Sequence, residues 1–366
     1  MKTKLYLILT LFLFFPLEGF SWGRHDLLTT YALKEVKWLD PFDAIPITSF
    51  QDFLSDTFSK DFTERDFLAQ YQLNSSYKVK PPPSNIKTLS AKKILADFSD
   101  EPDWGMDQNL NISLDQPYMG GIKGPTSQAF RHLYWKAWSP TAPLRTFHFP
   151  PREMGQARER AQIFYNLAEK AFKAKHPYWA FRFLAWTLHY IQDLNQPFHS
   201  SQLLTPKFIA WEEIFNFKKL VHRTTQIISN YHFIYEDYVV YRIEEEMKDQ
   251  IEKKFIPALV GEKQMYSSSA FLIAKHSADD SNYFSYEIGE TCFHFFGKRF
   301  LDPKIDVPNS PKGTFPMKDF DQNTHFSKKE KDVFLQNTAK NLNKTAIYTR
   351  SLLELSKEEF LSNSKK

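Results

Sequence analysis

One segment of the chain, residues 179–199, constrains the fold most, because it combines helical apolar spacing with histidine and carboxylate side chains. Apolar residues recur through its first part at the spacing typical of a helix. His189 and Asp193 are four residues apart, so they share one face of the predicted helix and can bind one metal ion. Pro197 should end or kink the helix, which allows His199 to turn toward a neighbouring ion.

A second segment repeats this pattern. His232 and Glu236 are also four residues apart on a predicted helix. Imidazole and carboxylate groups suit zinc, which takes N and O ligands at about 2.0–2.2 Å. Two such pairs on facing helices could hold a cluster of metal ions in the core of a bundle. A single pair at this spacing is often only a surface helix pair, so the spacing alone does not decide for metal.

Helical patterns extend well beyond these two segments, and alternating strand patterns are scarce. The helices are predicted over residues 152–175, 179–193, 206–254, 267–300 and 327–356. Between Asp40 and Thr146, clusters of proline and glycine indicate loops rather than regular elements. The 366 residues are 42% hydrophobic and include 35 Phe, 17 Tyr and 8 Trp, enough for a sizeable core. We therefore predict an all-α fold in which residues 22–366 form a single multi-helix domain.

The N-terminal residues 1–21 have the layout of a secretory signal peptide: a basic start, a short apolar run, and small residues before a cut. The apolar run is too short to span a bilayer comfortably, and a signal anchor is the alternative interpretation. We expect cleavage after Ser21, a secreted or periplasmic protein, and Trp22 as its new N-terminus.

Cys292 is the only cysteine, which excludes an intrachain disulfide and a zinc site built from cysteines. An exported protein without disulfides needs other cross-links, and bound metal is one of them. The formal net charge of +4 neither requires nor excludes an anionic partner.

The string LHYIQDLNQPFH, which begins at Leu188, resembles the segment that supplies three zinc ligands in the zinc-dependent bacterial phospholipases C. The string YHFIYEDYV, which begins at Tyr231, resembles the His-x-x-x-Glu segment that follows in those enzymes. The related fungal single-strand nucleases usually have His where this chain has Asn195, so the sequence favours the phospholipase branch. The resemblance runs in order over most of the chain after residue 21, while its specific motifs cover short stretches.

The resemblance implies a site for three zinc ions. In this family the N-terminal Trp of the processed protein binds zinc through its amine and carbonyl groups, a role that falls to Trp22. An α-amine has a pKa of about 7.7–8.0, so metal can displace its proton at neutral pH. The alternative for Trp22 is an aromatic side chain packed at the start of the domain. His25 would be the side-chain ligand of the same ion, with Asp193 as a bridge.

Two further ligands of the family, an Asp and then a His, precede the helical pair. His132 has the His-apolar-Tyr context of the family, and Asp103 is the favoured carboxylate, with Asp100 and Asp97 as alternatives. The implied sets are Asp103, His132, His189 and Asp193 for one ion, His199, His232 and Glu236 for a second, and Trp22, His25 and Asp193 for a third. The other histidines are expected to be structural or exposed: His148, His176, His222, His276, His294 and His325.

The resemblance implies a secreted phosphodiesterase that hydrolyses phospholipid head groups by zinc-activated water, with Asp103 as both ligand and the base that orients the water. We expect a phospholipid or nucleic-acid phosphodiester as substrate, transient contact with a membrane surface, and no stable protein partner. A single-strand-type nuclease of the same fold, with an aromatic platform for stacked bases, is one alternative. A non-catalytic, zinc-stabilised secreted helical protein is the other, although structural zinc sites are usually closed four-ligand sets.

The chain departs from the family pattern in three ways. Trp22 and His25 are closer together than is usual, and His199 and His232 are further apart, which indicates an inserted loop near the mouth of the site. No Gly- and Asp-rich β-sandwich pattern follows the helices, so we expect no membrane-docking module of that type.

Overall fold

The computed structural model describes residues 23–81, 85–114, 116, 127–136, 152–302, 304–322 and 327–363. Within these ranges helices dominate, and the predicted all-α class is confirmed. The α-helices are α1 His25–Ala32, α2 Phe50–Thr57, α3 Glu64–Gln70, α4 Ala91–Asp97, α5 Ser127–His132, α6 Ala157–Lys173, α7 Pro177–Leu194, α8 Pro197–Ser200, α9 Phe217–Met247, α10 Phe255–Leu259, α11 Ala270–Phe296, α12 Met317–Gln322 and α13 Lys328–Asn363. Two antiparallel ladders of two residues each pair β1 Ile45–Pro46 with β2 Thr88–Leu89, and β3 Tyr134–Trp135 with β4 Met154–Gly155.

Helix α7 is the central element of the fold. Pro177 occupies its first turn, where a missing N–H costs nothing, and every residue from Tyr178 to Leu194 is buried. The helices α1, α4, α6, α11 and α13 pack around it. A helix that is buried on all sides carries its polar side chains into the interior, where each of them needs a partner. His189, Gln192 and Asp193 are the polar residues that α7 buries next to α1 and α5.

Two aromatic-rich clusters form the core on either side of these polar residues. One packs α2, α3, α4 and α6 against α7, with Phe53, Trp179 and Phe183 in contact. The other packs α9, α11 and α13 together around Tyr238 and Phe334. Both clusters consist of buried apolar and aromatic side chains, which hold in place the helices that carry the polar residues.

Both predicted boundaries of the helix over residues 206–254 are wrong. The helix predicted from residue 206 begins at Phe217, because Pro206 starts a separate 3₁₀ turn and Asn216 caps α9 by accepting a hydrogen bond from the Lys219 N–H. The same helix ends at Met247 rather than at residue 254. The backbone N–H groups of Phe255 and Ile256, at the start of α10, donate hydrogen bonds to the Glu246 carboxylate.

The region predicted as loops, residues 40–146, contains four short helices among its described residues. Ser49, Thr63 and Ser90 cap three of them by accepting hydrogen bonds from backbone N–H groups at the helix start. Capping residues of this kind mark a helix start in the sequence. The prediction of loops rested on the proline and glycine clusters elsewhere in the region and did not take these residues into account. The clusters around residues 82–84 and 117–126 themselves lie outside the described residues.

Gly155 fixes the position of α5 relative to α6. Its φ angle is +102°, and a Cβ atom at this position would lie 1.9 Å from the Leu133 carbonyl oxygen. The adjacent Gln156 N–H donates to the Phe130 carbonyl at 2.9 Å. Only glycine allows this close approach, which sets the C-terminal end of α5, where His132 lies.

Of the helices that the structure describes, none combines the length and the apolar character that crossing a bilayer requires.

Candidate metal centre

Three groups of histidine and carboxylate side chains, all buried except the partly exposed His232, have ligand atoms that lie within 4.8 Å of one another in each group. The groups are His25, His189 and Asp193; Asp103, His132 and His189; and His199, His232 and Glu236. These are eight of the nine ligands expected from the sequence; the ninth, Trp22, lies outside the described residues. They are contributed by α1, a 3₁₀ turn at Glu101–Asp103, α5, α7, α8 and α9, so residues far apart in the sequence converge.

Asp193 links the groups, because its two oxygens face different histidines. Oδ2 lies 3.0 Å from His132 Nδ1 and 3.2 Å from His189 Nε2. Oδ1 lies 3.4 Å from His25 Nε2 and 3.6 Å from His199 Nδ1. A carboxylate with this arrangement can bridge two cations.

The separations between donor atoms match those around a small ion. Ligands at about 2.1 Å from a tetrahedral zinc ion are about 3.4 Å from one another. His132 Nδ1 lies 3.5 Å from Asp103 Oδ1 and 3.0 Å from His189 Nε2, and His189 Nε2 lies 3.7 Å from the same Asp103 oxygen. The observed range therefore suits zinc without large movements of the side chains.

Hydrogen bonds at the outer edge of the cluster orient three of the imidazole rings. His189 Nδ1 donates to the Ser99 carbonyl at 2.8 Å, and His199 Nδ1 donates to the His132 carbonyl at 3.0 Å. His25 Nδ1 lies 2.8 Å from Gln192 Oε1, which accepts because the Gln192 amide nitrogen donates to Thr29 Oγ1. A carbonyl oxygen can only accept, so Nδ1 carries a proton in each of the three rings, and Nε2 is the nitrogen that faces the cluster.

The third group is built around Glu236. His232 Nε2 lies 2.9 Å from Glu236 Oε1 and 3.0 Å from His199 Nε2. The Gln196 amide donates to the same carboxylate oxygen at 2.9 Å. The second oxygen, Oε2, is buried and has no hydrogen-bond partner among the described residues. A buried carboxylate oxygen in that state is costly, and a cation at the group would satisfy it.

The three aspartates considered as the upstream ligand lie in different surroundings. Asp103 Oδ1 faces His132 and His189 and accepts from the Gln128 amide at 3.0 Å. The Asp100 carboxylate accepts from the His25 backbone N–H at 2.7 Å. Asp97 pairs with Lys93 on the outer surface of α4. The structure thus brings Asp103 into the cluster, uses Asp100 to hold the start of α1, and leaves Asp97 away from the cluster.

Asp107 is a member of the centre that the sequence did not single out. It is fully buried, and its Oδ2 lies 3.3 Å from His132 Nε2, on the opposite side of the ring from the cluster. Arg131 and Arg160 donate to its other oxygen at 2.7 and 3.1 Å, and the Tyr190 hydroxyl donates to Oδ2. Asp107 belongs to the same acidic stretch as Asp103, but no spacing rule marks a residue that contacts a ligand rather than the metal.

Electrostatics separate the histidines into two kinds. Burial lowers the pKa of His199 to about 4 and that of His232 to about 3. Both rings are therefore neutral at physiological pH, which is the form that binds metal. Burial also lowers the pKa of His25, but the hydrogen bond and charge of Asp193 outweigh it and raise the pKa to about 9. A cation would displace the His25 proton.

The carboxylates are similarly divided. Burial raises the pKa of Glu236 to about 8 and that of Asp100 to about 7. For Asp193 burial acts in the same direction, but the neighbouring histidines outweigh it and hold the pKa well below its usual value. Asp193 is therefore an anion already, whereas Glu236 would become one when a cation binds beside it.

The remaining histidines behave as expected where the structure describes them. His222, His276 and His294 are exposed, and His176 is buried with its Nε2 3.1 Å from the Asp56 carboxylate. His148 and His325 lie outside the described residues.

No known protein family matches the sequence, and no curated protein matches it either. Among solved structures, the chain is similar to the alpha-toxin of the Clostridium perfringens avian strain SWCP, at 14% identity and a TM-score of 0.37, and to the alpha toxin of Clostridium absonum, at 13% and 0.36. The matches cover 93% of this chain and 65% and 66% of the toxin chains, so the chain spans less than two thirds of either toxin. These values are too low to carry over a fold or an activity.

Proposed function

We propose that this protein is a zinc-dependent phosphodiester hydrolase of the phospholipase C type, exported and processed to begin at Trp22. The observation that supports this most is the buried set of five histidines, two aspartates and a glutamate in which both oxygens of Asp193 are used. A closed structural zinc site needs only four ligands, whereas this set is larger and is shared between groups.

Zinc bound at these groups would lower the pKa of an attacking water, polarise the phosphoryl oxygens and stabilise the leaving alkoxide. The residues that reach solvent define where the substrate enters. The side chains of His232 and Asp103 are 16% and 9% exposed, while those of His25, His189 and Asp193 are fully buried. The phosphodiester would therefore approach between α9 and the turn that carries Asp103.

Asp103 has the position of a water-orienting base. Gln128 fixes its carboxylate by donating to Oδ1. In the proposed reaction water attacks phosphorus, its proton passes to Asp103, and the bond to the glycerol oxygen breaks. The leaving alkoxide takes up a proton, so the products are diacylglycerol and a phosphorylated head group.

Elemental analysis and an activity assay on the processed protein test the proposal. The protein is expressed with residues 1–21, its N-terminus is determined, and zinc per chain is measured together with hydrolysis of phosphatidylcholine and of single-stranded DNA. About three zinc ions per chain and release of phosphocholine are expected, both lost in His189→Ala. His222→Ala, an exposed histidine on α9, is the matched control and should retain both.

Other outcomes are informative. Zinc with cleavage of DNA but not of lipid would indicate the nuclease alternative. Zinc without either activity would leave the structural role, and zinc well below one per chain with Trp22 exposed would refute the metal centre.

A further inference from the structure

A surface at the N-terminal end of α9 carries an unusual concentration of exposed apolar side chains. Trp211, Ile214, Phe215 and Phe217 are 55%, 50%, 102% and 59% exposed, and they fall within seven consecutive residues. Single exposed apolar residues are normal on protein surfaces and need no explanation. A cluster of this kind usually marks a surface that another molecule covers.

Hydrogen bonds rather than burial hold this segment in place. Trp211 Nε1 donates to the Pro206 carbonyl at 3.1 Å, which satisfies the polar atom of the indole while most of the ring stays exposed. The Ile214 N–H donates to the Trp211 carbonyl at 3.2 Å, and the Asn216 N–H donates to the Glu213 carbonyl at 2.8 Å. The apolar side chains are thus presented by an ordered backbone.

Two lysines lie directly beside the cluster. Lys218 and Lys219 follow it directly, both are exposed, and no acidic side chain in the described part of the chain forms an ion pair with either. The two nearby acids, Glu212 and Glu213, both pair with Arg223, at 3.1 and 2.5 Å. Lys218, Lys219 and Arg223 exceed Glu212 and Glu213 by one positive charge, so the surface combines aromatic rings with a small excess of positive charge.

We propose that this surface, formed by Trp211, Ile214, Phe215, Phe217, Lys218 and Lys219, docks onto an anionic phospholipid bilayer. Indole rings favour the headgroup region, phenylalanine enters the boundary with the acyl chains, and lysine heads contact lipid phosphates. Each lysine near an anionic membrane contributes about 1 kcal/mol. A partner protein would be expected to need a larger surface than one short segment offers.

Helix α9 connects this surface to the metal centre. Phe217 begins the helix and His232 lies fifteen residues further on, which is roughly 22 Å along the axis at the α-helical rise. Docking through the surface would hold the centre at a fixed distance from the bilayer. The inference does not rest on the proposed hydrolysis, because membrane binding is measured without turnover.

Flotation with vesicles tests the proposal. Binding of the full chain is compared between vesicles of phosphatidylcholine with phosphatidylglycerol and vesicles of phosphatidylcholine alone. We expect Phe215→Ser to lower the partition coefficient about tenfold, since it removes one large apolar side chain from the membrane. Its side chain is fully exposed, so the fold should be unchanged by circular dichroism. Tyr266→Ser, an 88% exposed tyrosine before α11, is the matched control and should bind as the wild type does.

The lysines are tested separately. Lys218→Glu with Lys219→Glu should abolish the preference for anionic vesicles, and high salt should have the same effect on the wild type. The proposal is overturned if the wild type does not float with anionic vesicles, or if Phe215→Ser floats as well as the wild type. It is also overturned if the wild type is a dimer by light scattering and Phe215→Ser is a monomer, because the surface would then join two copies.

Discussion

Asp103 differs from Asp97 and Asp100, its neighbours in the same acidic stretch, in what its carboxylate faces. Only Asp103 has an oxygen within 4 Å of two of the candidate zinc-binding histidines, His132 and His189. Spacing in the sequence does not separate the three, because the stretch runs from α4 through a 3₁₀ turn and the direction of each side chain changes from residue to residue. The difference between them is visible only in three dimensions.

We therefore expect Asp103→Asn to reduce hydrolysis at least a hundredfold, because it removes both a ligand and the proposed base. Asp97→Asn, which loses only a surface pair with Lys93, should keep full activity and zinc. Initial rates and zinc content of the two variants check this. Asp103 is not the ligand and base if Asp97→Asn loses activity and zinc while Asp103→Asn retains both.

Asp107 is the second residue whose substitution should have a specific effect on zinc binding and stability. Asp107→Asn should weaken zinc binding about ten- to a hundredfold, since it frees the His132 ring to turn. It should also destabilise the fold by about 3–5 kcal/mol, because Arg131 and Arg160 would be left buried without a countercharge.

Tyr190→Phe is a milder perturbation of the same carboxylate. It removes one hydrogen bond to the carboxylate and leaves its charge in place, at a cost of about 1 kcal/mol. Zinc affinity measured by chelator competition and stability measured by urea unfolding should both change in the same direction as in Asp107→Asn, but less. Unchanged zinc affinity in both variants would show that Asp107 has a structural role only.

At the scale of elements, the contact between α5 and β4 leaves no room for an added methyl group. Gly155→Ala places a Cβ against the Leu133 carbonyl, and we expect a loss of about 3 kcal/mol or more together with weaker zinc binding at His132. Gly297→Ala is the control, because its φ of +80° is also positive but nothing lies within 4 Å of the added carbon. Gly297→Ala should lower the free energy of unfolding by about 1 kcal/mol and leave the zinc affinity unchanged. Equal effects in urea unfolding would mean that the close approach at Gly155 does not matter.

The long helices could be predicted well where helical periodicity is strong, as in α6 and α7. The short helices α2, α3 and α4 could not, because a single capping side chain marks the start of each. The 3₁₀ turns before α9 could not, because each has three residues, too few for a helical period to be visible. For the site, the pairs on α7 and α9 followed from a four-residue spacing, and Asp103, His132 and His25 from resemblance. Asp107, Gln192 and the Ser99 carbonyl contact the ligands from outside, and no sequence pattern marks that role.

Over the whole molecule, metal bound at the centre would connect segments that no intrachain disulfide links. Cys292 is the only cysteine, and the candidate ligands run from His25 in α1 to Glu236 in α9. A metal ion that binds only the native state raises the free energy of unfolding with the logarithm of the ratio of free metal concentration to dissociation constant. At a ratio of about one thousand the gain is about 4 kcal/mol.

We expect a chelator to lower the melting temperature of the wild type by several degrees, in a reversible way that added zinc restores. In Asp193→Asn, where the shared ligand is lost, the chelator should have little further effect. Differential scanning calorimetry of both proteins with and without chelator checks this. A wild type that melts at the same temperature in both conditions would contradict the prediction.

The shared carboxylate of Asp193 also has a consequence for how the centre fills. An ion at one group would hold one oxygen and thereby orient the other oxygen for the next group, so the first binding event would lower the conformational cost of the second. Thermodynamic reciprocity requires the same coupling in the opposite direction. Chains with one ion should therefore be rare at every stage of a zinc titration, and native mass spectra should be dominated by empty and fully loaded protein.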